Sequence, residues 1–328
     1  MISSPRCFLP WIGSERTLAM LFALIGLWGT DSAQAAMSAV AGFYHVDVPQ
    51  GNSAWTCGLV CADLYTGPAV TVTADLDGKA LVTFASPDWT GGEFTRHYAE
   101  PQSGTSQGLA IDVLSNTADT LKLDATPAEA GLTDGMVFIL RKHATLAGLM
   151  PNGGGFVPFN DSIGLIGLSG TQQIYFWNNG SSTWIDSTNG DASSVIIRPG
   201  QGFVIQVGVA KTLTLGLGEV CFVKTTPTKI RAANGVPNLI GALNPLSSST
   251  TLAGLGVTSD MAAFNDSIVT LDPGSLAQTG TFLSDGTNLI NSTNFANSNN
   301  VALPAGTSIV INVDASKNIN LPPVSVGP

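Results

Sequence analysis

The sequence predicts an all-β protein: two related β-sandwich-like repeat units, with a small β-barrel inserted in the first. Three observations carry that reading. First, a stretch recurs. Thr145-Leu146-Ala147-Gly148-Leu149 leads to Phe159-Asn160-Asp161-Ser162-Ile163, and Thr251-Leu252-Ala253-Gly254-Leu255 leads to Phe264-Asn265-Asp266-Ser267-Ile268. Second, between Val70 and Arg141 the pattern changes to short alternating strands parted by Gly, Asn or Asp. Strands packed that tightly escape exposed edges by closing into a barrel. Third, only 11% of residues are charged, 37 are glycine and 44% are apolar. The surface is then built mainly of Ser, Thr, Asn and Gly, and the interior has ample material for a core.

Residues 1–35 read as a signal peptide. Arg6 and Arg16 form a basic leader, Leu18 to Trp28 an apolar core, and Ala33-Gln34-Ala35 a small-x-small cleavage site. The apolar run is short for a bilayer span. Cys7 precedes it and so cannot carry a lipid. No later segment is long and apolar enough for a membrane helix. The expected product is an exported chain beginning near Ala36, placed outside the cell, on its surface or in the periplasm. The C-terminal Leu321 to Pro328 shows neither a sorting motif nor the terminal aromatic of an outer-membrane barrel.

The net charge is −10, and removing the signal leaves it unchanged because Glu15 and Asp31 offset Arg6 and Arg16. Phosphate contacts need clustered cations, so nucleic acid and anionic lipid are not expected partners. The mature chain keeps Cys57, Cys61 and Cys221. An export compartment permits disulfides, but an odd count leaves a thiol over. The spacing of Cys57 and Cys61 on one strand separates them unless the chain bends, so the pairing stays open. No His or further Cys stands at zinc-ligand spacing, and neither metal nor cofactor is expected.

Taken in order, residues 36–66 start the first unit. Phe43 to Val48 alternates and stops at Pro49-Gln50-Gly51; the apolar Trp55 to Leu64 is broken by Gly67-Pro68. Residues 67–142 form the barrel. Val70 to Thr73 and Leu81 to Phe84 flank the turn signal Asp77-Gly78. Glu93 to Ala99, Gly108 to Leu114, Asp119 to Leu123 and Met136 to Arg141 follow, with Thr126 to Gly131 as one helical turn. Residues 143–224 resume the first unit and residues 225–328 form the second.

The two units keep register beyond the opening repeat. Asn179-Gly180 and Asp285-Gly286 each sit at a hairpin tip. Arg198-Pro199-Gly200-Gln201-Gly202 before Phe203 to Val207 answers Leu303-Pro304-Ala305-Gly306-Thr307 before Ser308 to Val313. Lys211-Thr-Leu-Thr-Leu215 answers Lys317-Asn-Ile-Asn-Leu321. A weaker echo sets Gly51, Trp55, Gly58 and Leu59 against Gly235, Leu239, Gly241 and Leu243. Its extra spacing equals about one barrel length, so residues 40–66 should pack with residues 143–222 around the insertion.

A family resemblance rests on several motifs. These are Arg96-His97-Tyr98-Ala-Glu100 with Ser103-Gly104, and Ile111-Asp-Val-Leu-Ser-Asn116 with Asp119-Thr120-Leu121. Gly131-Leu-Thr with Thr145-Leu146, Pro199-Gly-Gln-Gly202 and Lys224-Thr-Thr-Pro227-Thr228 add to them. Together they resemble an uncharacterised family of exported, paralogous all-β bacterial proteins, over nearly the whole mature chain. That resemblance implies an exported protein with no assigned activity and no catalytic residue to carry over.

Four groups of residues are candidate sites. The Phe-Asn-Asp-Ser loops offer hard oxygen ligands for calcium, but alternating carboxylates are lacking nearby, and a turn with Phe as its anchor is the expected reading. Tyr175, Trp177 and Trp184 could stack on sugar rings. In the other copy Leu283 answers Trp177 and Leu289 answers Trp184, which points to core, whereas Thr281 answers Tyr175, which should then face out. Trp89, in a loop between Pro87-Asp88 and Gly91-Gly92, is the better exposed aromatic. The candidate ligand-binding residues are therefore Trp89, Tyr175 and Trp177.

His97 could act as acid or base with Glu93, Glu100 or Asp112 orienting it and Ser103 as nucleophile, but no nucleophile elbow or paired carboxylates support it. Gly153-Gly154-Gly155 opens no helix and reads as a loop. The expected function is a non-catalytic structural or adhesive role in the cell envelope or extracellular matrix. A carbohydrate-binding module is the alternative, and a hydrolase with a site near His97 stands third. The expected partners are a polysaccharide or envelope component, and further copies of the chain through edge strands that few lysines guard.

Overall fold

The structure, a computed structural model, describes residues 44–56, 59–166, 172–216, 221–223, 228–240, 250–304 and 307–321. The expected signal peptide, Cys57 and the Lys224 to Pro227 part of the last motif lie outside the described residues. The chain is nearly all β. It opens with β1 (Tyr44–Val48), β2 (Gly51–Thr56) and β3 (Leu59–Cys61). Six strands follow: β4 (Asp63–Ala74), β5 (Ala80–Phe84), β6 (His97–Pro101), β7 (Ile111–Asn116), β8 (Thr120–Leu123) and β9 (Val137–Lys142). Then come β10 (Ala144–Thr145), β11 (Ser162–Ile166), β12 (Gln172–Asn178), β13 (Thr183–Asp186), β14 (Ile196–Ile197), β15 (Gly202–Val207), β16 (Lys211–Leu215) and β17 (Cys221–Val223). The last group is β18 (Thr228–Ala232), β19 (Asn238–Ile240), β20 (Thr250–Thr251), β21 (Ser267–Leu271), β22 (Gln278–Ser284), β23 (Leu289–Asn291), β24 (Ala302–Leu303), β25 (Ser308–Asn312) and β26 (Lys317–Leu321).

The six strands β4 to β9 close into a barrel in the order β4-β5-β8-β7-β6-β9. Alternation along each strand sends Val82, Phe84, Ile111, Val113, Leu121, Leu123, Phe138 and Leu140 inward, where all are buried. Gly78 takes the left-handed conformation that the β4–β5 turn needs, at φ +77°. A bond from the Ala130 amide to the Thr126 carbonyl closes the single helical turn expected there.

Two five-stranded antiparallel sheets are built from strands that follow the barrel in sequence, except for β2, which precedes it. One runs β13-β12-β11-β15-β2 and the other β23-β22-β21-β25-β19. The two-stranded ladders correspond as well: β1–β16 with β18–β26, and β10–β14 with β20–β24. The N-terminal strands β1, β2 and β3 pair with β16, β15 and β17. The chain therefore leaves this group of strands for the barrel after Cys61 and returns after Lys142. Trp184, Phe203, Ile163 and Ile205 of the first sheet bury against Val46 and Leu213 of the β1–β16 ladder. Ile268, Ile309 and Ile311 do so against Ile319 and Leu321 of β26. Each such side chain contributes about 1.5–3 kcal/mol on burial.

The inner edges β2 and β19 lie near one another, and the Ser308 hydroxyl, buried, donates to the Ala54 carbonyl at 2.9 Å. The outer edge strands β13 and β23 are short, and each is bridged by its own following loop, at Ile185–Asp191 and Ile290–Asn297. Both expected hairpin tips form. In the second, Gly286 takes φ +93° as anticipated; in the first, Ser182 rather than Asn179 or Gly180 holds the left-handed position, at φ +54°. Among the described residues no helix is long and apolar enough to cross a membrane.

Candidate functional site

The outer face of the barrel carries an ionic row set by register. Asp112 lies opposite Tyr98, Tyr98 opposite Arg141, and Arg141 opposite Asp63, across β7, β6, β9 and β4. Outward positions on a free barrel would be wet, yet Tyr98 and Glu100 are buried: the His143 ring packs on Tyr98, and the Arg141 guanidinium lies against Glu100. The row is therefore ionically paired. Arg141 donates to Asp63 at 2.7 Å and to Glu100 at 2.5 Å. Burial lowers the Arg141 pKa, but the fields of Tyr98, Glu100 and Asp63 outweigh it and raise it overall. Burial also pushes the Tyr98 hydroxyl well above its ordinary range.

Asp112 joins the barrel to the strands that follow it. Its Oδ2 accepts from Nε of Arg198 at 3.0 Å and from Nη2 at 2.6 Å. Its Oδ1 lies 3.1 Å from Nε2 of His143, off the line of a well-formed hydrogen bond, so that contact is electrostatic. Burial raises the Asp112 pKa, but His143 and Arg198 outweigh it and hold the carboxyl at about 2. His143 is itself buried, and its ring stacks tilted on Tyr98 with centroids 4.9 Å apart.

Beside the Asp112–Arg198 pair opens a pocket of about 420 Å³. Three parts of the fold line it: Leu109 to Asp112 and Asp124-Ala125 from the barrel, Arg198 to Gly202 from the loop before β15, and Lys229-Ile230 with Val236 to Leu239 from β18 and β19. The Pro199-Gly-Gln-Gly202 motif finds its explanation here. A Cβ on Gly202 would stand 2.4 Å from the Leu239 carbonyl oxygen, and one on Gly200 would stand 2.6 Å from the Ile230 side chain. Only glycine lets this loop approach β18 and β19 so closely. Lys229 is 9% exposed. Its backbone amide donates to Gly108 at 3.0 Å and its ammonium to the Thr105 carbonyl. Asp124 is paired with Lys79 at 2.6 Å. Among the described residues no carboxylate pairs with Lys229.

The expected site residues fall elsewhere. Trp89 is half-buried and meets Tyr65, Phe84 and Phe94 edge-on, with ring centroids 5.1, 5.4 and 5.2 Å away. Tyr175 and Trp177 are buried in the first core. Tyr175 was expected to face out; instead it points inward, and its hydroxyl donates to Gln173 at 2.6 Å. The reason is register. Ile163 lies opposite Tyr175 and its counterpart Ile268 opposite Phe282, so Tyr175 answers Phe282 and not Thr281. A one-residue slip exchanges the two faces of a strand. Trp177 packs over Gly153, where a Cβ would come within 2.6 Å of the indole, so the glycine run serves the core. The three candidate aromatics share no exposed face.

His97 packs edge-on against Phe94, and its buried Nδ1 has no partner. Burial first, then the charge of His143, lowers its pKa. Of the acids proposed to orient it, Asp112 is engaged with Arg198 and His143, and Glu100 with Arg141; Glu93 accepts from the Thr90 amide at 3.2 Å and reaches His97 through its charge. Arg198 and Lys229, which line one pocket, and His143, which lies beside Asp112, were not singled out from the sequence as site residues. The signal present was the pairing of a glycine-rich loop with a preceding arginine.

The Phe-Asn-Asp-Ser loops hold matching ion pairs. Asp161, fully buried, accepts from the amides of Val157 at 2.7 Å and Gly208 at 3.0 Å, and from the Lys211 ammonium. Asp266, also fully buried, accepts from the amides of Ala262 at 2.6 Å and Asp314 at 2.9 Å, and from Lys317 at 2.5 Å. The turn reading describes these loops, with one correction. Phe159 and Phe264 do not anchor them: they are 58% and 59% exposed, with left-handed φ of +57° and +62°. Comparison with protein-family models, known proteins and solved structures finds no match.

Proposed function

We propose that the protein is an exported, non-catalytic structural or adhesive component of the cell envelope or extracellular matrix. In this reading two related β-units arose by duplication and the barrel is an insertion in the first. One observation carries it: three ion pairs with well-buried or half-buried aspartates join separate parts of the fold. Asp161–Lys211 and Asp266–Lys317 tie matching loops to matching strands, and Asp112–Arg198 ties the barrel to the loop before β15. The identical strand order of the two five-stranded sheets supports duplication. The pairing of β1 and β2 with β16 and β15 supports the insertion.

The carbohydrate reading loses its platform where Tyr175 and Trp177 are core residues. The hydrolase reading loses two of its three orienting acids where Asp112 and Glu100 are paired with arginines. Fractionation of native cells, with N-terminal sequencing of the recovered chain, tests the proposal. The expected result is an envelope or extracellular chain starting near Ala36. Recovery from the cytosol with residues 1–35 intact would end it.

A further inference from the structure

We propose that the junction pocket is a binding site for a small amphiphilic monocarboxylate, its head on Lys229 and Arg198 and its hydrocarbon body on Leu109, Ile166, Ile230 and Leu239. Two independent observations lead there. The first is the space: about 420 Å³, within the range of small-molecule sites, with mostly apolar walls. The second is an imbalance of charge. Four charged residues line the pocket: Asp112, Asp124, Arg198 and Lys229. Asp112 is balanced by Arg198, and Asp124 by Lys79 outside the lining. Lys229 alone is buried with carbonyl and no carboxylate as partner among the described residues. A buried ammonium without a counter-charge is costly, and a bound carboxylate supplies that counter-charge.

The same accounting sets the ligand class. Among the described residues the surplus is a single positive charge, which matches one carboxylate. Phosphate esters and other multiply charged ligands would meet Asp112 and Asp124 on the wall. A purely apolar ligand would leave Lys229 unpaired. An ammonium head would be repelled by Lys229 and Arg198. Arg198 lines the pocket, and its side chain is 37% exposed despite its bond to Asp112. Because the site lies where three parts of the fold meet, an occupant would also brace them together.

The test uses the mature chain and three probes of one chain length: sodium octanoate, octan-1-ol and octylammonium chloride, each titrated by calorimetry. Octanoate should saturate one site per chain and bind about tenfold to a hundredfold more tightly than octanol, the range of a charge-assisted hydrogen bond. Octylammonium should give no saturable heat. Lys229→Met should erase the preference for octanoate over octanol. Ala110→Phe, which fills the pocket from a half-buried position, should abolish binding of both. Should Lys229→Met fail to fold by circular dichroism, Ala110→Phe decides. No saturable octanoate binding to the unaltered chain overturns the proposal. So does octanoate affinity that survives Ala110→Phe, or a head-group preference that survives Lys229→Met.

Discussion

Replacing Arg198 with Met removes the guanidinium that joins the barrel to the loop before β15, while its apolar stem is largely kept. Asp112 loses two charge-assisted bonds, of 3.0 and 2.6 Å. Its carboxyl is held at about 2 in the folded chain, against 3.8 for an unperturbed aspartate. That depression corresponds to about 2 kcal/mol of stability at neutral pH, part of it owed to His143. The side chain is 25% exposed, so solvent screening trims the figure only modestly. The folded pKa is depressed. The contribution is therefore fully present above 3.8 and is lost as pH falls through about 2.

Arg198→Met should thus cost about 1–2 kcal/mol in urea unfolding at pH 7. The gap from the unaltered chain should narrow steadily as pH falls from about 4 towards 2. Comparing the two proteins at each pH cancels the other carboxylates. A gap that is equally large at neutral and acid pH would refute the ionic argument and point to packing of the arginine stem. No gap at any pH would show that the junction contributes nothing.

Asp161→Asn and Asp266→Asn each break a buried ion pair with lysine. Each should cost about 3 kcal/mol at pH 7, read as a lowered urea midpoint. Both carboxyls lie below their ordinary range; burial raises them, but the lysine and two backbone amides outweigh it. The cost should therefore vanish only in acid, below the lowered values. Gly202→Ala should shift the thermal midpoint down by several degrees, because its Cβ would collide with the Leu239 carbonyl at 2.4 Å and backbone cannot swing aside. Trp177→Ala should destabilise by about 3–5 kcal/mol as a core truncation. In affinity electrophoresis against polysaccharides it should leave the pattern of the folded chain unchanged.

The fold was legible where its signals are local. The barrel strands announce themselves by alternation over a few residues each: β5, β8 and β9 lie within a residue of the expected stretches, β6 and β7 start four and three residues later than expected, and β4 is longer, starting at Asp63. The repeat was legible because Thr145, Asp161 and Lys211 recur as Thr251, Asp266 and Lys317. Their purpose was not: Asp161 meets Lys211 across 50 residues of chain, and sequence spacing does not report such contacts. The face of Tyr175 was misread for a different reason. The β11–β12 and β21–β22 hairpins differ by a bulge at Thr270 and Leu271, and a gap misplaced by one residue reverses every face in a strand. The junction site was the least visible, because Asp112, Arg198 and Lys229 come from three separate stretches and only the closed topology brings them together.

The central claim is that β1 and β2 belong with β15 and β16, around an inserted barrel. Hydrogen exchange read by mass spectrometry on the mature chain tests it directly. Peptides covering residues 44–56 should share the protection of residues 202–215, and opening should occur in step with them. The claim would be contradicted if residues 44–56 exchanged freely, or in step with the barrel, while residues 202–215 stayed protected.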